Sequence, residues 1–423
     1  MSNPFPKMFA LRQDFPATPP FDIAAAVPRE LAPSIQQLRP GAKVAVGVGS
    51  RGITNLALIV RTTLETLRTA GAEPFILPAM GSHGGATPEG QRELLAEYGI
   101  TEAAMGVPIR AAMEAEQVGV TDEGAPVLVS TEARQADAIL VINRIKPHTD
   151  FSSDTLGSGV LKMLVIGLGK RAGATAFHIA ASRLGHERML RSIARVILRA
   201  TPVLGGLGIV EDAHHQTARL AFLPANEMEA REAALFREAK ALMPRLPFDE
   251  VDLLIVDRIG KNISGAGMDP NVVRRGVQGY TSDLALLQQS PVVRRIFVRD
   301  LTPETHGNAI GIGLADATTA RLVAGMDKNS TYINALTSLT PQCAKIPASF
   351  ETDREAVARL IETLATGEPA RAKIVRIADT LSLAHVEVSE AYRANLPNHR
   401  GLTALGSSSE MAFDAAGNLL PLR

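Results

Sequence analysis

Residues able to do chemistry concentrate in one stretch, Asn143 to His178 (NRIKPHTDFSSDTLGSGVLKMLVIGLGKRAGATAFH). It holds His148, Lys162 and His178 among Gly-rich turns. Lys162 is flanked by Leu161 and by the apolar run Met163-Leu164-Val165-Ile166. Burial disfavours a charged amine, and a neutral amine is a nucleophile, so a covalent role is one use of this lysine. The other is a lysine snorkelling from a half-buried strand. His148 follows Pro147 at the end of a strand, a place for a catalytic group or for a solvent-exposed loop histidine. His178 falls on a helix starting near Ala172, where a histidine serves as a metal ligand or as core.

His83 stands in GSHGGAT, Gly81 to Thr87, with glycine on both sides of the Ser-His pair. Small neighbours let a ligand approach ring and backbone closely. The alternative is a loop histidine that bonds the next helix. Gly167 to Ala174 (GLGKRAGA) is Gly-rich and basic and opens a helix. Its amides could hold a phosphate, with Lys170 and Arg171 as cofactor-binding candidates. It is neither a Walker loop nor GxGxxG. His214-His215 beside Glu211-Asp212 reads as a turn with solvated polar residues, since adjacent histidines do not easily reach one ion.

These residues need a scaffold. Lys43 to Val48 reads as a buried strand ended by Gly49, and Thr54 to Ala70 as a helix with apolar residues at Leu56, Ile59, Val60, Leu64 and Leu67. Pro74 to Leu77 is a second strand, Thr87-Pro88-Glu89 opens a helix running to Tyr98, and Ala138 to Asn143 is a third strand. Alternating strand and helix predicts a parallel sheet with helices on its faces. Ligands then gather in the loops beyond the carboxyl ends of the strands. Ser50-Arg51, Ser82-His83 and Lys146-Pro147-His148 are three such loops.

After a helix over Glu227 to Leu242 and a linker over Met243 to Phe248, a new buried strand, Val251 to Val256, opens into the polar loop Asp257 to Asp269. Ala309 to Leu314, Ala344 to Pro347 and Lys373 to Ile377 are further strand candidates, and Asp353 to Leu364 a helix. The prediction is two α/β domains with mainly parallel sheets and an active site in the cleft between them. The N-terminal domain spans 1–245 and carries the cofactor and acid/base residues. The C-terminal domain spans 250–400, and 401–423 is a tail packing on the surface. Glu304, His306 and Lys328 are polar residues near second-domain strands, without an assigned role.

Composition narrows the partners. The 44 basic and 44 acidic residues cancel, which gives no electrostatic reason to expect nucleic acid or an anionic membrane. A single cysteine, Cys343, rules out an intrachain disulfide and a Cys-rich metal site and suits the cytoplasm. No signal peptide or bilayer-spanning run is read in the chain.

Taken in order, Arg51, His83, His148, Lys162 and His178 resemble the nickel-pincer lactate racemase family of 2-hydroxy acid racemases and epimerases. The resemblance is good over about residues 40 to 180 and weaker from 250 to 390. It implies a pyridinium mononucleotide with two sulfur substituents that bind nickel, joined covalently to Lys162 by a thioamide. It also implies His178 as the fourth nickel ligand, His83 and His148 as the acid/base pair on opposite faces of the substrate, and Arg51 as the carboxylate clamp. Partners implied are a small 2-hydroxy acid and the enzymes that make the cofactor. The chain departs from the family pattern at Val48, where an acidic residue is usual, and over Asp269-Pro270-Asn271-Val272-Val273-Arg274 and Val277, where substrate-contacting groups are lost. Arg274 is the candidate replacement clamp, and a larger or more polar 2-hydroxy acid than lactate is expected. A nicotinamide-type oxidoreductase, a metal hydrolase and a non-catalytic protein binding the cofactor or a sugar acid are the competing readings.

Overall fold

The computed structural model describes residues 4–50, 52–149, 151–277, 290–364 and 367–422. The chain separates into two units: one of Pro16–His148 with Ser153–Met243, the other of Met1–Phe15, Thr149–Ser152 and Pro244–Arg423.

The first unit is built on a five-stranded sheet in the order Glu73–Pro78, Lys43–Val48, Ala138–Arg144, Val203–Glu211, Thr217–Pro224. The first four strands are parallel and the last is antiparallel. Short β-branched runs with both faces apolar suit a parallel sheet covered on both sides. On one face, helices Ile23–Ile35 and Leu56–Thr69 bury Val27, Leu31, Ile59, Leu64 and Leu67 against Val44, Val46, Ile76, Leu140 and Leu207. The helix predicted over Thr54 to Ala70 is thus present, one turn shorter. On the other face lies the segment carrying Lys162. Gly206 makes room for it: a Cβ there would stand 2.3 Å from Val160 Cγ1.

The first three predicted strands are hydrogen-bonded neighbours running the same way, with Val48 opposite both Pro78 and Ile142. Their following loops therefore leave from one edge of one sheet, as the sequence pattern requires.

The second unit carries an eight-stranded sheet in the order Ala348–Phe350, Ala317–Thr319, Val292–Leu301, Glu250–Ile259, Ile374–Ile377, His385–Ser389, Met8–Gln13, Leu402–Ser409. The first five are parallel and the rest antiparallel. Two segments expected elsewhere belong here. Met8–Gln13 pairs with His385–Ser389 and Leu402–Ser409, so the start of the chain completes this sheet. Leu402–Ser409 is an edge strand of that sheet rather than a surface tail. Alternating apolar positions in Met8–Gln13 find partners only across the sheet, a pairing too distant in sequence for local pattern to show.

Two strand candidates are corrected. Ala309 to Leu314 turns back on itself through Gly311, at φ 93°, into the short helix Ile312–Leu314. Ala344 to Pro347 gives way to a strand at Ala348–Phe350. The apolar residues Ile310, Ile312, Leu314 and Ile346 suggest strands there, but the glycines and proline between and after them break the extended backbone. Among the described residues no helix is long and apolar enough to cross a membrane.

Candidate active site

The GSHGG loop follows strand Glu73–Pro78. His83 is exposed, and its Nδ1 shares a short hydrogen bond with Ser50 Oγ, in the loop after the neighbouring strand. Tyr98 donates from its hydroxyl to Ser50 O at 3.2 Å, which steadies that loop. The pairing commits Nδ1 and gives the ring one orientation. Arg51, the predicted substrate clamp beside Ser50, lies outside the described residues.

Below the loop lies Gln91, wholly buried. Its Nε2 donates to Gly81 O at 3.0 Å and to His83 O at 3.3 Å. Its Oε1 accepts from Lys170 Nζ at 3.1 Å, and the same amine donates to Pro78 O at 2.8 Å. Lys170 was predicted to bind cofactor. The structure corrects this: the side chain is 0% exposed and points inward under the His83 loop. Its backbone is left-handed, φ 55°, a rare setting for a non-glycine residue and one that turns the stem into the core. Burial lowers its pKa to about 8 against the pull of Glu132 and Glu114. Arg171, next along, is exposed.

Lys162 closes a short helix, Val160–Lys162, that runs on as a π-helical turn, Met163–Gly167, before helix Lys170–Leu184. The half-buried strand considered for Lys162 is therefore replaced by a helical turn. π-turns inside helices recur at functional sites because they re-aim side chains. Lys162 is half-buried, and its Nζ lies 3.4 Å from Ser158 Oγ. Ser158 in turn pairs its backbone with Lys146, at 2.9 and 2.8 Å, two residues before His148. His148 is 7% exposed, not the solvent-facing loop residue that was one reading of it. The π-turn also touches the other two loops. A Cβ on Gly49 would meet Met163 Cε at 2.8 Å, and one on Gly81 would meet Ile166 O at 3.2 Å. The three loops thus converge on the segment that carries Lys162.

A residue that sequence reasoning missed anchors this segment. Glu232, on helix Met228–Leu242, is fully buried and accepts from Leu161 N at 2.8 Å. Its Oε1 has no hydrogen-bond partner among the described residues. Burial raises its pKa to about 7, despite the amides of Leu161 and Val160. Asn143 Nδ2 holds the adjacent Gly159 O at 2.8 Å. Glu232 lies in a run of helix-forming charges, and nothing local marks it as buried.

His178 is half-buried, its ring 5.2 Å from Phe177 and 6.5 Å from His186, a second histidine the sequence reading passed over. Among the described residues no three His, Cys, Asp or Glu side chains group to hold a metal. The predicted turn at His214-His215 is present, but its acids are not solvated: Glu211 is buried against Arg144 and Thr54 N, and Asp212 against Thr18.

Arg274 belongs to the other unit. It ends the short helix Pro270–Val273 with φ 56°, is half-buried, and its Nε has no hydrogen-bond partner among the described residues. Burial lowers its pKa, partly offset by Asp269. Glu304 and Lys328 lie exposed in that unit.

The fold is thus that of an α/β protein with mainly parallel sheets and a polar site at strand ends. Residues 27–189 match the family model of the lactate racemase N-terminal domain. Two solved structures share the architecture. A structural-genomics protein from Thermotoga maritima is 16% identical, with a TM-score of 0.51 over 78% of this chain and 84% of that one. The lactate racemase apoprotein from Thermoanaerobacterium thermosaccharolyticum is 14% identical, with a TM-score of 0.50 over 88% of this chain and 99% of that one. No curated protein matches the sequence. Residues 27–189 are thus similar to the lactate racemase N-terminal domain, and the chain shares the fold of these two solved structures.

Proposed function

We propose that the protein is an isomerase that inverts C2 of a 2-hydroxy acid, a racemase or epimerase working in the cytoplasm. The observation that carries this reading is the Ser50–His83 hydrogen bond on a loop packed against the Lys162 segment. A histidine with a committed Nδ1 is a directed proton acceptor and donor at Nε2.

The C2 proton is only weakly acidic, and on this reading the C–H bond breaks as hydride rather than by side-chain deprotonation. A nickel-pincer nucleotide, when bound, supplies a reversible hydride acceptor. Lys162 would hold it through its amine, His178 would give an imidazole to the metal, and Arg171 would meet its phosphate. The chain's own task is proton handling. One of His83 and His148 would take the hydroxyl proton as C2 is oxidised to a ketone, and the other would return a proton to that oxygen as C2 is reduced on its opposite face. Arg51 would bind the carboxylate of the substrate as a bidentate clamp. The altered stretch from Asp269 to Arg274 favours an acid larger or more polar than lactate.

The test is co-expression with the cofactor's biosynthetic enzymes, then peptide mass spectrometry at Lys162, a nickel assay, and chiral chromatography on a panel of 2-hydroxy acids. An adduct on Lys162, bound nickel and inversion abolished by His83→Asn and His148→Asn are expected. No adduct and no nickel, with a known family member loaded in parallel, would overturn the reading.

A further inference from the structure

We propose that Lys170 and Gln91 form a buried clamp that sets the position of His83, so both are positioning residues for proton transfer. The argument rests on the reading of His83 as the proton-transfer group. Two hydrogen bonds tie the loop to Gln91, whose Nε2 donates to Gly81 O at 3.0 Å and to His83 O at 3.3 Å, and a third ties Gln91 to the helix behind it, from Lys170 Nζ to Gln91 Oε1 at 3.1 Å. A fourth, from Lys170 Nζ to Pro78 O at 2.8 Å, holds the last residue of the strand from which the loop springs. One amine and one amide therefore grip the backbone before and at His83. Both side chains are 0% exposed, so neither serves solubility.

The arrangement is costly for mere packing. A buried lysine that donates to two neutral oxygens has only the pull of Glu132 and Glu114, neither of them its hydrogen-bond acceptor here, to offset desolvation. An apolar pair would fill the space without that penalty. What it would lack is direction, because Gln91 donates to Gly81 O and adds a second donor to His83 O, which within the loop accepts only from Ala86 N at 3.2 Å among the described backbone pairs. Gly84 and Gly85, at φ 65° and 63°, leave the loop little stiffness of its own. The Ser50 bond fixes the ring from one side, and the clamp fixes the backbone from the other.

The experiment uses unloaded full-length protein, selectively 15N-labelled at histidine, with His83 assigned by loss of its signal in His83→Gln. Two variants are compared with the wild type. Lys170→Met/Gln91→Leu replaces both polar partners with apolar groups. Gln91→Glu keeps a partner for Lys170 and removes only the two donors to Gly81 and His83. The clamp predicts that both variants shift and broaden the His83 ring signals and alter the Nδ1 signature of the Ser50 bond, while the His214 signal stays in place. If the double variant does not fold, Gln91→Glu decides. Unmoved His83 signals in Gln91→Glu would refute the clamp. On loaded protein, kcat should fall at least tenfold with KM within twofold and Lys162 adduct formation unchanged. Failure of the wild type to invert any 2-hydroxy acid would sink the racemase reading and leave the His83 signals to judge the clamp.

Discussion

Glu232 offers the sharpest quantitative test. Its carboxyl is fully buried, and burial raises its pKa from 4.5 to about 7. At 1.36 kcal/mol per pH unit, that difference corresponds to about 3 kcal/mol. The sign follows from linkage. Below pH ~4.5 the group is protonated folded and unfolded alike, and its contribution is fully present. As pH rises through about 7 the folded protein must bury a carboxylate, and the contribution is lost. Glu232→Gln keeps the shape and an oxygen for the Leu161 amide but cannot ionise. Urea unfolding followed by circular dichroism at pH 5, 6, 7 and 8 reads the stability gap between variant and wild type. The variant should gain on the wild type by about 2–3 kcal/mol across that range. A gap constant to within about 0.5 kcal/mol would mean that Glu232 does not titrate there, and the reasoning from burial would be wrong.

Further outcomes follow from the same contacts. Gly159→Ala places a Cβ 2.0 Å from Glu232 Oε1, so thermal stability should drop by about 2–4 kcal/mol and adduct formation at Lys162 should fail, read by melting and peptide mass. Ser50→Ala removes the Nδ1 partner of His83, and a hydrogen bond worth about 1–1.5 kcal/mol predicts a roughly tenfold loss in kcat with KM little changed. Arg144→Met strands the buried Glu211 carboxylate and should destabilise its unit by about 3 kcal/mol in chemical denaturation. Asp353→Ala removes the 0%-exposed acceptor of Arg299, Arg321 and Leu419 N. It should cost about 3–5 kcal/mol and open the last few residues to carboxypeptidase.

What the sequence could determine was local or chemical. The strands Lys43–Val48, Glu73–Pro78 and Ala138–Arg144 are short apolar runs, each opening into a polar or Gly-rich loop and alternating with helices, so their existence and parallel arrangement follow from pattern. The spacing of His83, His148, Lys162 and His178 in strand-end loops and one Gly-rich segment was equally legible, because side-chain identity at a loop needs no partner to be recognised. Tertiary structure decided which polar residues face inward. Lys170 reads as a basic residue at a helix start, and only the Gln91 amide and Pro78 carbonyl explain why it is buried. Glu232 sits seventy-one positions from the Leu161 amide it accepts from, and Met8–Gln13 pairs with strands near the far end of the chain. Such contacts join groups far apart in sequence, and desolvation and hydrogen-bond satisfaction act only once folding has brought them together.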